Sequence, residues 1–247
     1  MKAVILAAGY ATRLYPLTRM YPKPLLKVRN RPIIDYLIDK LICLKGLNEI
    51  VVVSNNKFFR RFEAWRKHHP HRRHITVVND LTESNADRLG AIGDADFAIS
   101  KRRIRTDVLV IGGDNIFDGD LSAFLDFARE KGKSPVIGAY DIGRLKDARH
   151  YGVLKIDRRN RIVDFQEKPL KPTSKLVAMC LYYFPAQKLR LIKEYMRAKD
   201  TRRDATGLYI DWLRKRVAVY SFVFGGRWYD IGDHAFYRKA QSSFINQ

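Results

Sequence analysis

Residues 1–14 read Met1-Lys2-Ala3-Val4-Ile5-Leu6-Ala7-Ala8-Gly9-Tyr10-Ala11-Thr12-Arg13-Leu14. One basic residue before a short apolar run has the outline of a signal peptide. The run is too short for that, and no small-residue cleavage site follows a long apolar core. It fits a buried first strand, residues 3–7, that opens into a loop of small residues. Runs of the same kind recur at 49–54, 75–78 and 108–111. Their β-branched content and continuous apolarity suit a sheet covered on both faces. Helix-period segments lie between them, at 32–45, 58–68, 89–100 and 121–131. Leu121, Phe124, Leu125 and Ala128 repeat at i, i+3, i+4, i+7 and make one helical face. Strand alternating with helix implies crossovers and parallel pairing.

After Pro135 the pattern changes. Strands are expected at 136–140, 153–157, 162–166 and 177–184, with Arg158-Arg159-Asn160-Arg161 as a hairpin turn. Helices follow at 186–198 and 207–214, then strands at 218–224 and 227–229 and a last helix at 235–244. The expected fold is α/β: a Rossmann-like, mixed, mainly parallel sheet flanked by helices, with a smaller β-rich lobe. No linker-like tract divides the chain. It reads as one domain, 1–247, whose first part is 1–134 and whose second is 135–247.

Composition bounds the function. The chain has 247 residues with 46% apolar content, which is globular rather than disordered. A domain of this size buries roughly 70–75% of its unfolded surface without staples. Its two cysteines, Cys43 and Cys180, make neither a disulfide scaffold nor a thiol zinc site. No apolar stretch reaches membrane-span length, so a cytoplasmic location and no membrane partner are expected. The net charge is +21, which attracts anions. The basic runs are scattered and lack interleaved aromatics, so a solvated face is favoured over nucleic-acid binding.

Five segments carry chemistry. The 6–14 loop lets backbone N–H groups approach an anion, but it has neither the Walker ending nor the dinucleotide glycine pattern. Arg13 is a fork suited to phosphate oxygens, and Lys23, between Pro22 and Pro24, is a point charge on a stiffened segment. Asp114 follows a buried strand, where open α/β sheets bind ligands; it suits Mg²⁺ or a turn cap. Glu167 and Lys168 face opposite ways if extended. Asp230 fits a second metal ligand or a cap for the last helix. The polar loop 79–91 could read a base edge or simply cap a helix.

Together these residues resemble the sugar-1-phosphate nucleotidyltransferases, the glucose-1-phosphate thymidylyltransferase-like NTP transferases. The family opening L-A-[AG]-G-x-G-T-R-L-x-P-x-T…P-K-x-L spans Leu6 to Leu25 here. The G-D-N, Y-G-V, E-K-P and W-x-D-x-G elements follow in order at Gly113, Tyr151, Glu167 and Trp228. The resemblance implies an Mg²⁺-dependent enzyme that joins an NTP (UTP, dTTP or CTP) to a sugar-1-phosphate and releases pyrophosphate. It implies Arg13 and Lys23 as catalytic residues. Ala7, Ala8, Gly9, Asn79, Leu89 and Gly90 would hold the nucleotide. Gly152, Glu167, Lys168 and Cys180 would hold the acceptor, and Asp114 and Asp230 the metal. A homo-oligomer is allowed by the same resemblance. The alternatives are a cytidylyltransferase for a phospho-alcohol such as phosphocholine and a non-catalytic nucleotide-binding regulator. Three departures stand out. Ala11 replaces the usual second glycine, a minor change if φ there is negative. Met179-Cys180 replaces Thr-Gly in the strand under the acceptor, and the base-reading loop 82–89 lacks the thymidylyl pattern. A left-handed β-helix is not expected after residue 244, nor an acetyltransferase activity.

Overall fold

The computed structural model describes residues 1–198 and 206–243. Its main sheet has nine strands. Four of them are β1 (Lys2–Leu6), β4 (Glu49–Ser54), β5 (Ile75–Asn79) and β6 (Val108–Gly112). They lie side by side in the order β6-β1-β4-β5, all parallel. The short pairs β2 (Lys27–Val28) with β3 (Arg31–Pro32), and β7 (Asn115–Phe117) with β13 (Trp228–Asp230), stand apart from it. Beyond β6 the sheet turns mixed. β11 (Leu176–Phe184) runs antiparallel to β6 and also pairs β8 (Val136–Asp141) and β9 (Gly152–Ile156). β10 (Ile162–Glu167) and β9 form the expected hairpin, with Asn160 at φ +62 in its turn. β12 (Tyr220–Phe224) closes the far edge beside β8.

The unbroken apolar runs have a direct cause. Ala3 and Ile5 join one core, which takes in α1 (Ile33–Ile42), α2 (Asn56–His68) and α4 (Leu121–Glu130). Val4 joins the other, with α3 (Gly90–Lys101), α5 (Arg190–Arg197) and α6 (Thr206–Arg214). Successive strand side chains point to opposite faces, so both parities must be apolar when both faces are covered. The last helix, α7 (His234–Ser243), starts where Asp233 accepts from the N–H groups of Ala235 and Phe236. The expected helix end at 244 lies outside the described residues.

Local expectations met local corrections. Pro32 precedes α1 rather than entering it. Asp120 caps α4 by accepting from the Ser122 N–H. Ala11 has φ +47, not a negative value. Its backbone sits in the left-handed region and its carbonyl accepts from the Thr18 hydroxyl at 2.7 Å, a conformation that costs an L-residue about 1–2 kcal/mol. No helix among the described residues is long and apolar enough to cross a membrane.

Candidate active site

The carboxyl ends of β1, β5 and β6 open on one side of the sheet, and the site is built there. After β1 the chain runs Ala7-Ala8-Gly9, with Ala7 held by its N–H to the Val53 carbonyl at 3.0 Å. After β6, Gly113 donates to the Leu6 carbonyl at 2.9 Å, tying the two loops together. A Cβ at Gly113 would stand 3.0 Å from that carbonyl oxygen, so a side chain there would crowd the backbone at the end of β1.

Two clefts meet over these loops. One, about 480 Å³, is lined by residues 6–13, Lys23, Gly90 and Asp114, among others. The other, about 700 Å³, lies toward the mixed half of the sheet and takes in Gly152, Glu167, Lys168 and Asp230. Arg13, Ala91, Asp114 and Cys180 line both and mark the junction.

At the junction Lys23 is paired with Asp114. The short helical turn Lys23–Leu25, led by Pro22 and Pro24, presents the lysine. Asp230 reaches the same point by strand pairing: β13 lies against β7 with Asp230 opposite Asn115. The Ile231 N–H donates to the Asp114 carbonyl at 3.2 Å, and the Trp228 indole donates to the Asn115 side chain at 2.7 Å. Burial, and then the neighbouring Asp114 charge, push the Asp230 carboxyl up to about 6. Asp233, not Asp230, caps α7, and the side chain of Asp114 is turned to Lys23. Both acids are therefore left facing the junction.

Cys180 stands at φ +53, where β11 breaks register between Ala178 and Tyr182. Its thiol is pushed up to about 12 by burial and by Asp114 and Asp230. Glu167 ends β10. Lys168 is not extended, as expected, but left-handed at φ +45. The two side chains therefore do not diverge: the lysine Nζ lies 3.9 Å from a Glu167 carboxylate oxygen, and both line the larger cleft.

Of the residues singled out in the sequence, all line one or other cleft except Asn79 and Leu89. Asn79 accepts from the Leu81 N–H and donates to Asn56. Leu89 precedes α3 as its N-cap. Gly90 beside it, at φ +78, does line the smaller cleft. Sequence reasoning did not single out Asp94 in the smaller cleft or Asp233 in the larger, while Tyr10, Asp80 and Tyr151 lay in segments it named without a role of their own. Asp94 had a signal: it is a lone acid in the apolar run Ala91-Ile92-Gly93-Asp94-Ala95.

Comparison with known proteins follows the same lines. Two archaeal proteins named Bifunctional protein GlmU are similar in sequence. The one from Methanocaldococcus jannaschii is 29% identical, and the one from Methanococcus aeolicus 31%. Each match covers 94% of this chain and 51% of the relative, so the chain spans about half the length of those relatives. A crystal structure of UDP-glucose pyrophosphorylase complexed with UDP-glucose shares the fold. Its TM-score is 0.82 at 19% identity, covering 98% of this chain and 97% of that one. Residues 2–247 match the profile of the family described as Nucleotidyl transferase, and with its motifs gathered around one pair of clefts the chain belongs to that family.

Proposed function

We propose that the protein is a Mg²⁺-dependent nucleotidyltransferase that joins an NTP to a sugar-1-phosphate, giving an NDP-sugar and pyrophosphate. The observation that carries this reading is the junction. A nucleotide-sized cleft and an acceptor-sized cleft meet where Lys23, Asp114 and Arg13 converge.

Nucleotidyl transfer asks a protein for alignment and charge neutralisation. The attacking oxygen is already a phosphate anion, so no general base is required. Arg13, lining both clefts, offers guanidinium N–H groups to the leaving pyrophosphate. Lys23 places a point charge at the α-phosphate. Lys168 meets the acceptor phosphate, while Glu167 accepts from hydroxyls of the sugar. Ala7, Ala8 and Gly9 leave room for the nucleotide against the backbone.

The donor set suits Mg²⁺. Asp114 and Asp230 bring two carboxylates together, and the charge of Asp114 adds to burial in raising the cost of ionising Asp230. No group of three or more His, Cys, Asp or Glu gathers among the described residues. Mg²⁺ characteristically binds through one or two carboxylates plus substrate phosphates and waters. Bound there, it would neutralise charge on the transferring phosphates.

Asp114→Asn is the test. Pyrophosphate release is expected to fall by two or more orders of magnitude, with an unchanged circular dichroism spectrum. Near-normal turnover would refute the assignment.

A further inference from the structure

The loop after β1 is held by two side chains that no transfer step uses. Thr18 and Asn55 are both 0% exposed, and neither lines either cleft. The Thr18 hydroxyl donates to the Ala11 carbonyl at 2.7 Å. The Asn55 amide donates to the Ala8 carbonyl at 2.8 Å, while its own oxygen accepts from the Phe58 N–H at 3.0 Å and caps α2. Threonine and asparagine are mostly exposed residues, and when buried they need partners. Here each spends a donor on one carbonyl of the loop 8–11.

Those carbonyls belong to residues that line the nucleotide cleft. A carbonyl oxygen turned into the cleft would face phosphate oxygens, negative against negative. Drawn back to Asn55 and Thr18, it leaves the other edge of the peptide to the cleft. The C=O and N–H of a trans peptide point in opposite directions, so the Gly9 and Thr12 N–H groups are turned away from the two tethers. Among the described residues, the N–H groups from Gly9 to Thr12 meet no hydrogen-bond acceptor. Successive N–H groups without a protein acceptor, beside an open cleft, form a concavity for an anion.

The Thr18 tether has a further task. Ala11 has φ +47, in the left-handed region, which glycine enters freely and alanine resists. The Thr18 hydroxyl, with the Leu14 N–H donating to the same carbonyl at 3.0 Å, holds the alanine there.

We propose that Thr18 and Asn55 are positioning residues for the nucleotide. By drawing the Ala11 and Ala8 carbonyls out of the cleft, they present the N–H groups of the loop to the phosphates of the incoming NTP. The inference rests on the nucleotidyl-transfer reading and adds to it two residues that touch no substrate. It also accounts for alanine at position 11, where a hydroxyl supplies by attachment what glycine would supply by freedom.

The intact protein is first screened for pyrophosphate release with ATP, GTP, CTP, UTP and dTTP over a panel of sugar-1-phosphates. With the working pair, kcat and KM are measured separately for NTP and acceptor, with equilibrium binding of the NTP and circular dichroism alongside. Thr18→Val keeps the shape and removes the hydroxyl. Its NTP affinity and kcat/KM for NTP are expected to fall about five- to tenfold, the worth of one hydrogen bond, with the KM for the acceptor unchanged. Thr18→Ser, which keeps the hydroxyl, is expected to behave as the parent. Ala11→Gly combined with Thr18→Val is expected to regain most of the lost NTP affinity, because glycine needs no tether at φ +47. A packing defect at residue 18 would not be cured that way. Asn55→Asp keeps the cap of α2 and loses the donor to Ala8, and the same NTP-selective loss is expected; should Thr18→Val not fold, this variant decides. NTP binding that is unaltered, that weakens together with acceptor binding, or that the glycine variant fails to restore overturns the proposal while nucleotidyl transfer stands. No turnover and no NTP binding by the intact protein overturns nucleotidyl transfer itself, and this proposal with it.

Discussion

Asp94→Asn is expected to make the fold more stable at neutral pH and to leave it nearly unchanged near pH 4. In the unfolded chain an aspartate titrates near 3.9. In the fold Asp94 is pushed up to about 8, first by burial and then by the charge of Asp80. Between those values the native state holds a proton that the unfolded state has released. Stability therefore falls as pH rises through the window, at up to about 1.36 kcal/mol per pH unit for a single group. Between pH 5 and 7 that is at most about 2.7 kcal/mol. Asp80, also raised by its burial, shares in the titration and reduces the part belonging to Asp94. Asparagine keeps the shape but has nothing to ionise. The variant is expected to gain about 1–3 kcal/mol on the parent between pH 5 and 7, or roughly 3–10 °C in Tm for a chain of this length. Denaturant unfolding of both proteins at pH 4.5, 5, 6 and 7 measures it. A stability difference that does not change with pH would refute the idea that the fold keeps Asp94 protonated.

Thiol reactivity offers a second check. Cys43 is exposed, whereas the Cys180 thiol is pushed up to about 12 by its burial and the nearby acids. Iodoacetamide at pH 8 is expected to label Cys43 alone in the native protein and both cysteines after denaturation, as read by peptide mapping. Rapid native labelling of Cys180 would contradict the raised thiol. Gly207→Ala addresses the acceptor cleft, because a Cβ there would meet Phe165 at 2.6 Å and press on the Glu167 carboxylate. The expected result is a loss of about 1–3 kcal/mol in stability and a higher KM for the acceptor with the KM for NTP little changed; equal changes in both would mean that Glu167 is not specific to the acceptor.

What could be read from the sequence, and what could not, divides by range. The strands of the parallel half were legible because burial on both faces forces continuous apolar runs, as Ala3, Val4 and Ile5 show by splitting between two cores. Asp114 was legible because its place is set by one strand and one turn. Two misjudgements came from backbone that no pattern announces. Ala11 and Lys168 are non-glycine residues in the left-handed region, so alternation failed to predict where the side chains beside them go. Asn79 lies outside both cleft linings, where local hydrogen bonds to Leu81 and Asn56 hold its side chain. The Asp80–Asp94 pair is the most instructive omission. Each acid by itself has an ordinary explanation, one as a loop residue and one as a helix residue. Only the fold, which brings α3 and the loop after β5 to one cleft, sets the two acids together. Their raised titration and the unpartnered Asp94 oxygen follow from that arrangement, which joins residues fourteen positions apart. A motif records which side chains a site needs; the protonation state of an acid is settled by what the fold brings against it.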